Sequence, residues 1–180
     1  MEELAGATIP LMGLGAGGVT EGAVGRIEEL ALGSFRVAAP LAVFSSATGG
    51  AHASAEAEGT IGGGLLRRFL VVLDYGCARI LLEPNAAFAE PLEYDMSGLR
   101  LLGEGADHRT FRVFGVAEPS VAFAAGIRAG DVLAILDGRP AAELTLTEIR
   151  ARFRREGPCS MTVERGGERL ELGLELRRRL

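Results

Sequence analysis

The chain has no tryptophan, two cysteines and two histidines, and each shortage removes a class of chemistry. Cys77 and Cys159 lie far apart and match no metal spacing, which argues against a disulfide framework or a zinc site and for two buried thiols. No apolar run reaches the roughly eighteen residues that a membrane helix needs, because Arg36, Arg67, Arg68, Asp74 and Arg112 interrupt every candidate. No membrane span is expected. The start, "MEELAGATIP", has neither a basic region nor an apolar core, so no signal peptide is legible in it. A net charge of −5 leaves no electrostatic footprint for nucleic acid, and Arg177, Arg178 and Arg179 read as a short solvated tail, residues 177–180. What the chain does have is apolar content: 180 residues at 48% hydrophobic and 24% charged can bury a core as one large or two small domains.

Glycines crowd "GLGAGGVTEGAVG" (Gly13 to Gly25) and "GTIGGG" (Gly59 to Gly64), a density that helices do not tolerate. Between them, "GRIEELALGSFRVAAPLAVF" reads as short strands broken by a turn at Gly33 and Ser34. "GGLLRRF" predicts a short helix before the strand "LVVLDY", which "RILLEP" pairs back upon across Tyr75 to Ala78. The stretch 85–96 has no clear period, holds Pro91 and reads as a linker. Beyond it, "TFRVFGV" is a strand, and "AEPSVAFAAGIRAGD" holds a short helix that stops at Gly126. "DVLAILDGRPA" is a strand running into an Asp137-Gly138 turn. "LTLTEIRARFRRE" is an amphipathic helix with Thr145 and Glu148 spaced as a capping box and Leu146, Ile149 and Phe153 on one face. "CSMTVERGGERLELGLEL" is a hairpin turning at Gly166-Gly167. The expected class is mainly β, β plus α+β, in two small domains.

Ser120, Ala122, Ala125-Gly126-Ile127, Gly130-Asp131, Leu133, Leu136, Asp137-Gly138 and Pro140 follow in order the phrase "SPAAxAGLxxGDxIxxIDGxP", after which comes a helix. In this the stretch 97–176 resembles a PDZ domain of the circularly permuted bacterial type. The resemblance implies a carboxylate-binding loop and groove strand at Ser97, Gly98, Leu99, Arg100 and Leu101. It implies a groove helix carrying Leu146, Ile149, Arg150 and Phe153. Its partners would be peptide or protein C-termini, or extended segments added to a strand edge. Gly98 would let the backbone approach a ligand closely.

The first part, residues 1–84, is similar to the later portion of retropepsin-like aspartic peptidases that are found fused to PDZ domains. The stretch "GTIGGGLLRRFLVVLDYGCARILLEP" follows that family's pattern, with Ile61-Gly62 before Leu65-Leu66. "GLGAGGVTEG" stands where the family has its flap, which places Gly15, Ala16, Gly17 and Gly18 at the flap tip, and Leu32-Gly33 stands at a family turn. The fold implied is an incomplete retropepsin-like β-barrel half, and Asp74 falls on its structural "DY" strand. Such enzymes need Asp-Thr-Gly or Asp-Ser-Gly, since two carboxylates sharing a proton activate the water. Neither triplet occurs in the chain, and "DMSG" at Asp95 is misspaced. The family's triplet precedes the flap, so the expectation is a start inside the fold, through truncation, a late start codon or a degenerate remnant.

Other features have plain explanations. A lone Asp74 beside Tyr75 at a strand end bonds turn amides. Asp107 and His108 are chain neighbours and do not both orient one nucleophile. His52 has no second ligand, and the Gly13–Gly18 cluster lacks the Lys-Ser/Thr of a phosphate loop. No catalytic residue, metal ligand or cofactor is assigned. Two functional classes remain: a degenerate peptidase part carrying a peptide-binding PDZ domain, or an active aspartic endopeptidase completed by an upstream segment. The family resemblance implies homodimerisation and export to the periplasm.

The missing triplet generates the first prediction. Purified chain incubated with unfolded casein at acidic or neutral pH releases no fragments, because no residue can serve as the dyad. Pepstatin-sensitive cleavage would contradict it, and an in-frame Asp-Thr-Gly in the DNA upstream of the Met1 codon would restore the enzyme class.

Overall fold

The structure is a computed structural model that describes residues 7–15, 18–45 and 59–180. It is mainly β. The described residues form two compact units, one of residues 7–11, 23–44 and 93–180 and the other of 12–15, 18–22, 45 and 59–92.

Strands β1 (Ile9–Gly15), β2 (Gly18–Arg26) and β5 (Leu41–Ser45) form a sheet in the order β1-β2-β5, while β3 (Glu29–Leu32) and β4 (Phe35–Ala38) are a separate hairpin. The hairpin turns at Gly33, whose φ of +59° lies in the left-handed region that glycine enters without strain. Residues 23–44 group with the second half of the chain. There Arg26 donates to the Ala39 carbonyl at 2.7 Å and lies 3.8 Å from Glu93.

In the other unit, α1 (Gly63–Leu66) leads into a hairpin of β6 (Phe69–Asp74) and β7 (Arg79–Pro84), registered from Phe69 opposite Pro84 to Asp74 opposite Arg79. Asp74 accepts from Arg79 Nε at 2.8 Å and from the Cys77 amide at 3.1 Å. The Arg79 guanidinium first, and the Cys77 amide second, hold its carboxyl below the usual aspartate range. Asp74 is thus a turn-closing residue. Cys77 sits in that turn and is exposed, which corrects the expectation of two buried thiols: a four-residue turn capping a two-stranded hairpin lies at the ribbon's tip, and the described residues leave the sulfur uncovered. Arg68 is buried, its Nη1 donating to the carbonyls of Ala87 and Phe88 at 3.0 Å and to that of Glu90. Phe69 meets Phe88 edge to face at 5.2 Å. The hairpin leaves Leu70, Val72, Leu73, Ile80 and Leu81 exposed. Cross-strand partners share a face, so both faces of this ribbon carry bare apolar side chains.

The second half contains β8 (Leu99–Glu104), β9 (Thr110–Val116), α2 (Val121–Ala124), β10 (Val132–Leu136) and β11 (Arg139–Pro140). A 3₁₀ turn at Ala141–Glu143, α3 (Leu146–Arg152), β12 (Gly157–Arg165) and β13 (Glu168–Leu176) complete it. The strands form an antiparallel sheet in the order β13-β12-β10-β9-β8, with β11 paired to β10. Leu99 and Leu101, Phe111 and Val113, and Met161 and Val163, each pair two residues apart on its strand, face one core together with Ile149 of α3 and Phe153 at its C-terminal cap. The turn residues do as the sequence predicts. Asp137 and Gly138 both have positive φ, 47° and 77°, the requirement of a two-residue primed turn, and Gly166-Gly167 repeats it. The Thr145–Glu148 capping box is present with both arms made, and Ser120 caps α2 by accepting from the Phe123 amide at 3.1 Å.

Asp131 is buried at 1% exposure and gathers this sheet. It accepts from Arg165 Nε and Nη2, both at 2.7 Å, and from the Arg128 amide at 2.9 Å. Burial alone would push its carboxyl up. The Arg165 guanidinium and Arg128 amide outweigh that and hold it below the ordinary range. A depressed folded-state value contributes stability above the unfolded value of about 3.9, and that stability is lost as pH falls through the folded-state value. Asp131→Asn therefore lowers the thermal midpoint at pH 7 by about 5 °C or more and flattens its fall at pH below about 4. Calorimetry across pH checks this, and a variant whose midpoint keeps the wild-type acid slope contradicts it.

Candidate functional site

The sheet ends at β8, which among the described residues is paired on one side only, with β9. A register shift between Arg100 and Leu101 bends the strand there. Helix α3 is pinned to the start of β8 at its C-terminal end, where the Met96 amide donates to the Phe153 carbonyl at 2.9 Å. Beyond that pin, the backbones of β8 and α3 make no extended contact. Among the described residues, β8 thus offers one open edge, and α3 is tied at its C-terminal end to the loop that leads into that strand.

The entrance to β8 is a dense set of local bonds. Asp95 Oδ1 accepts from the Ser97 amide at 2.9 Å, the Ser97 hydroxyl at 2.6 Å and the Gly98 amide at 3.0 Å. The Leu99 amide donates to Ser97 Oγ at 3.1 Å. On the acceptor side, the Ser97 carbonyl takes the Ala122 amide at 3.2 Å and the Gly98 carbonyl takes the Ala117 amide at 2.8 Å. Burial pushes the Asp95 carboxyl above the usual aspartate range, against the opposing pull of the Ser97 hydroxyl, the Gly98 and Ser97 amides and nearby Arg100. Arg100 itself donates Nη2 to the Tyr94 hydroxyl at 3.0 Å. Arg178, Arg179 and Leu180 line a crevice with Glu93–Met96, and Arg178 pairs with Glu93.

The residues expected to bind peptide divide by exposure. Ser97, Gly98, Leu99, Leu101, Ile149 and Phe153 are buried; Arg100 and Leu146 are half-buried; Arg150 is exposed. Leu146 packs against the edge of the core, where Ile149 and Phe153 lie at 0% and 1% exposure. The close approach made at Gly98 is internal: a Cβ there would lie 2.3 Å from Ser120 Cβ. Met96, within the stretch read as linker, is buried in this core at 2% exposure. Of the flap residues, Gly15 ends β1 and Gly18 begins β2, while Ala16 and Gly17 lie outside the described residues, as does His52. Asp107 accepts from the Arg109 amide at 3.1 Å, and His108 Nδ1 lies 3.4 Å from the Gly103 carbonyl, so that pair shapes a turn. Cys159 is buried, which pushes its thiol up to about 11 and leaves it inert near neutral pH. No cluster of metal-ligating side chains occurs among the described residues, and none of their helices is long and apolar enough to cross a membrane.

Sequence reasoning missed the part played by Asp95. A signal was there: an aspartate two before a serine and three before a glycine is the spacing of a side chain that bonds its own following amides.

No family model and no curated protein matches the chain. Solved structures give low-identity likenesses. The HtrA3 PDZ domain bound to a phage-derived ligand is similar over 48% of this chain and 88% of its own, at 22% identity and TM-score 0.43. The HtrA-type protease AlgW with a tripeptide is similar over 55% and 39%, at 18% identity and TM-score 0.44. A serine endoprotease from Yersinia pestis is similar over 97% and 62%, at 14% identity and TM-score 0.45. The chain spans less than two thirds of the latter two proteins.

The geometry at Gly98 generates a stability prediction. Its φ of +79° and the Ser120 side chain both oppose a Cβ, so Gly98→Ala costs about 2 kcal/mol or more. Adding Ser120→Gly removes the clash but not the strained φ, and recovers part of the loss. Denaturant midpoints of the two variants decide it; full stability of Gly98→Ala would contradict the account.

Proposed function

We propose that the second half is a PDZ-type module that binds polypeptide in extended form, added as a further strand to β8 and flanked by α3. The observation that carries the reading is the outer edge of β8, unpaired among the described residues, together with a capped helix tied to the start of that strand by the Met96–Phe153 bond. Backbone groups along an edge give affinity that does not depend on sequence, and side chains beside the edge give choice. The phrase from Ser120 to Pro140 supports the same reading, because its residues occupy the cap of α2, the glycine after it, the buried Asp131 and the primed turn. The ligand is a C-terminal or internal extended peptide with an apolar residue against Leu146. Arg150 is exposed one turn along, and its proposed role is to pair with an acidic side chain of the ligand.

The first half we read as part of a retropepsin-like aspartic peptidase. Its support is the sequence pattern from Gly59 to Pro84, carried here by α1 and the β6–β7 hairpin. With no Asp-Thr-Gly or Asp-Ser-Gly in the chain, peptide capture is the activity proposed for it, and hydrolysis is reserved for a protein in which an upstream segment supplies the aspartate.

Screening the full chain against a peptide library tests the groove. Binding is expected at micromolar Kd, about −8 kcal/mol at roughly 1 μM. Leu146→Glu weakens it on the order of tenfold, through a charge placed on the apolar wall. Unchanged binding by a Leu146→Glu variant with a wild-type circular dichroism spectrum would remove the groove assignment.

A further inference from the structure

On the groove reading, a peptide's terminal carboxylate would take the amides at the entrance to β8, those of Met96, Ser97, Gly98 and Leu99. All four are already engaged within the chain: Met96 with the Phe153 carbonyl, Ser97 and Gly98 with Asp95 Oδ1, and Leu99 with Ser97 Oγ. Two of the four rest on a carboxylate, the same chemical group that a free C-terminus would bring.

We infer that Asp95 acts as a built-in carboxylate that excludes free C-termini, so that the module takes internal, extended segments of polypeptide. The inference rests on the groove reading above. An incoming α-carboxylate must displace a group tethered two and three residues from its donors, whose effective concentration is on the order of millimolar or more. If displaced, Asp95 remains beside the site as a like charge, which adds repulsion to the lost bonds. Internal segments meet neither obstacle. They need the β8 edge alone, and that edge is unpaired among the described residues. Arg100, the nearest cation acting on Asp95, has its Nη2 committed to Tyr94.

The test uses the full chain and an octapeptide library in three forms: free acid, C-terminal amide, and extended by two glycines. Wild type is expected to bind the three forms within about twofold of one another. Asp95→Ala frees the Ser97 and Gly98 amides and is expected to favour the free acid by tenfold or more. Asp95→Asn keeps an acceptor oxygen without the charge and is expected to stay indifferent. A tenfold free-acid preference in wild type overturns the proposal, as does a folded Asp95→Ala with no gained preference. A gain in Asp95→Asn equal to that in Asp95→Ala also overturns it, since occupancy would then not be the device. Independently of any peptide and of any variant's folding, wild-type NMR must show the Ser97 and Gly98 amide protons shifting together as Asp95 titrates; amides that ignore that titration overturn the occupancy. A library in which no form binds wild type or Asp95→Ala brings down the groove reading itself, whatever the amides show.

Discussion

One buried carboxylate holds the second half of the chain in register. Asp131 is reached by Arg165 at the end of β12 and by the Arg128 amide, while its own carbonyl accepts the Val113 amide from β9 at 2.8 Å. The same Arg165 donates to the Gly126 carbonyl at 2.8 Å, in the turn after α2. Arg165 of β12 and the Arg128 amide thus meet its side chain, β9 meets its backbone carbonyl, and Arg165 carries the link on to the turn after α2. A charge so buried is tolerated only when its lone pairs are taken up, and here a bidentate guanidinium and a backbone amide do so. With β9, β10 and β12 fixed, β8 hangs from β9 as the edge of the sheet among the described residues.

Much of this half was legible because its signals are local. The Asp137-Gly138 and Gly166-Gly167 turns need positive φ, and the residues that accept it are written in the sequence. The capping box likewise lies within four residues of chain. "TFRVFGV" reads as a strand, and it is one, with Phe111 and Val113 buried on its inner face. Two things were not legible. Asp95 looked like a misspaced fragment of a catalytic triplet; its spacing to Ser97 and Gly98 suits a side chain that bonds its own following amides, but spacing alone does not say that the chain closes that turn. The grouping of residues 23–44 with 93–180 depends on contacts such as Arg26 with Glu93, and sequence distance hides these.

The two halves differ in how they treat apolar surface. In the second, alternate strand residues turn inward and meet Ile149 and Phe153, so strand and helix periods agree about where the core is. In the first, the β6–β7 ribbon is apolar on both faces, and Leu70, Val72, Leu73, Ile80 and Leu81 remain exposed. A strand apolar on both sides is the pattern of a sheet covered on both faces. The ribbon's local geometry is nonetheless complete, with Asp74 and Arg79 closing its turn, so its shape is set by the turn and the ladder rather than by a core.

The bonds at residues 95–99 serve two ends that pull against each other. Fixing Ser97 and Gly98 through Asp95, and seating Gly98 against Ser120, gives β8 a defined starting point. A strand edge ordered in advance loses little entropy when a segment is added to it, which favours binding. Yet the donors used for that ordering are withdrawn from any ligand, since each amide N–H makes one strong bond. Rigidity and donor supply are therefore exchanged at this loop. A loop with free amides would gain a carboxylate site and would need other bonds to hold its shape; this one is held by its own carboxylate, and the surface left to offer is the edge of β8.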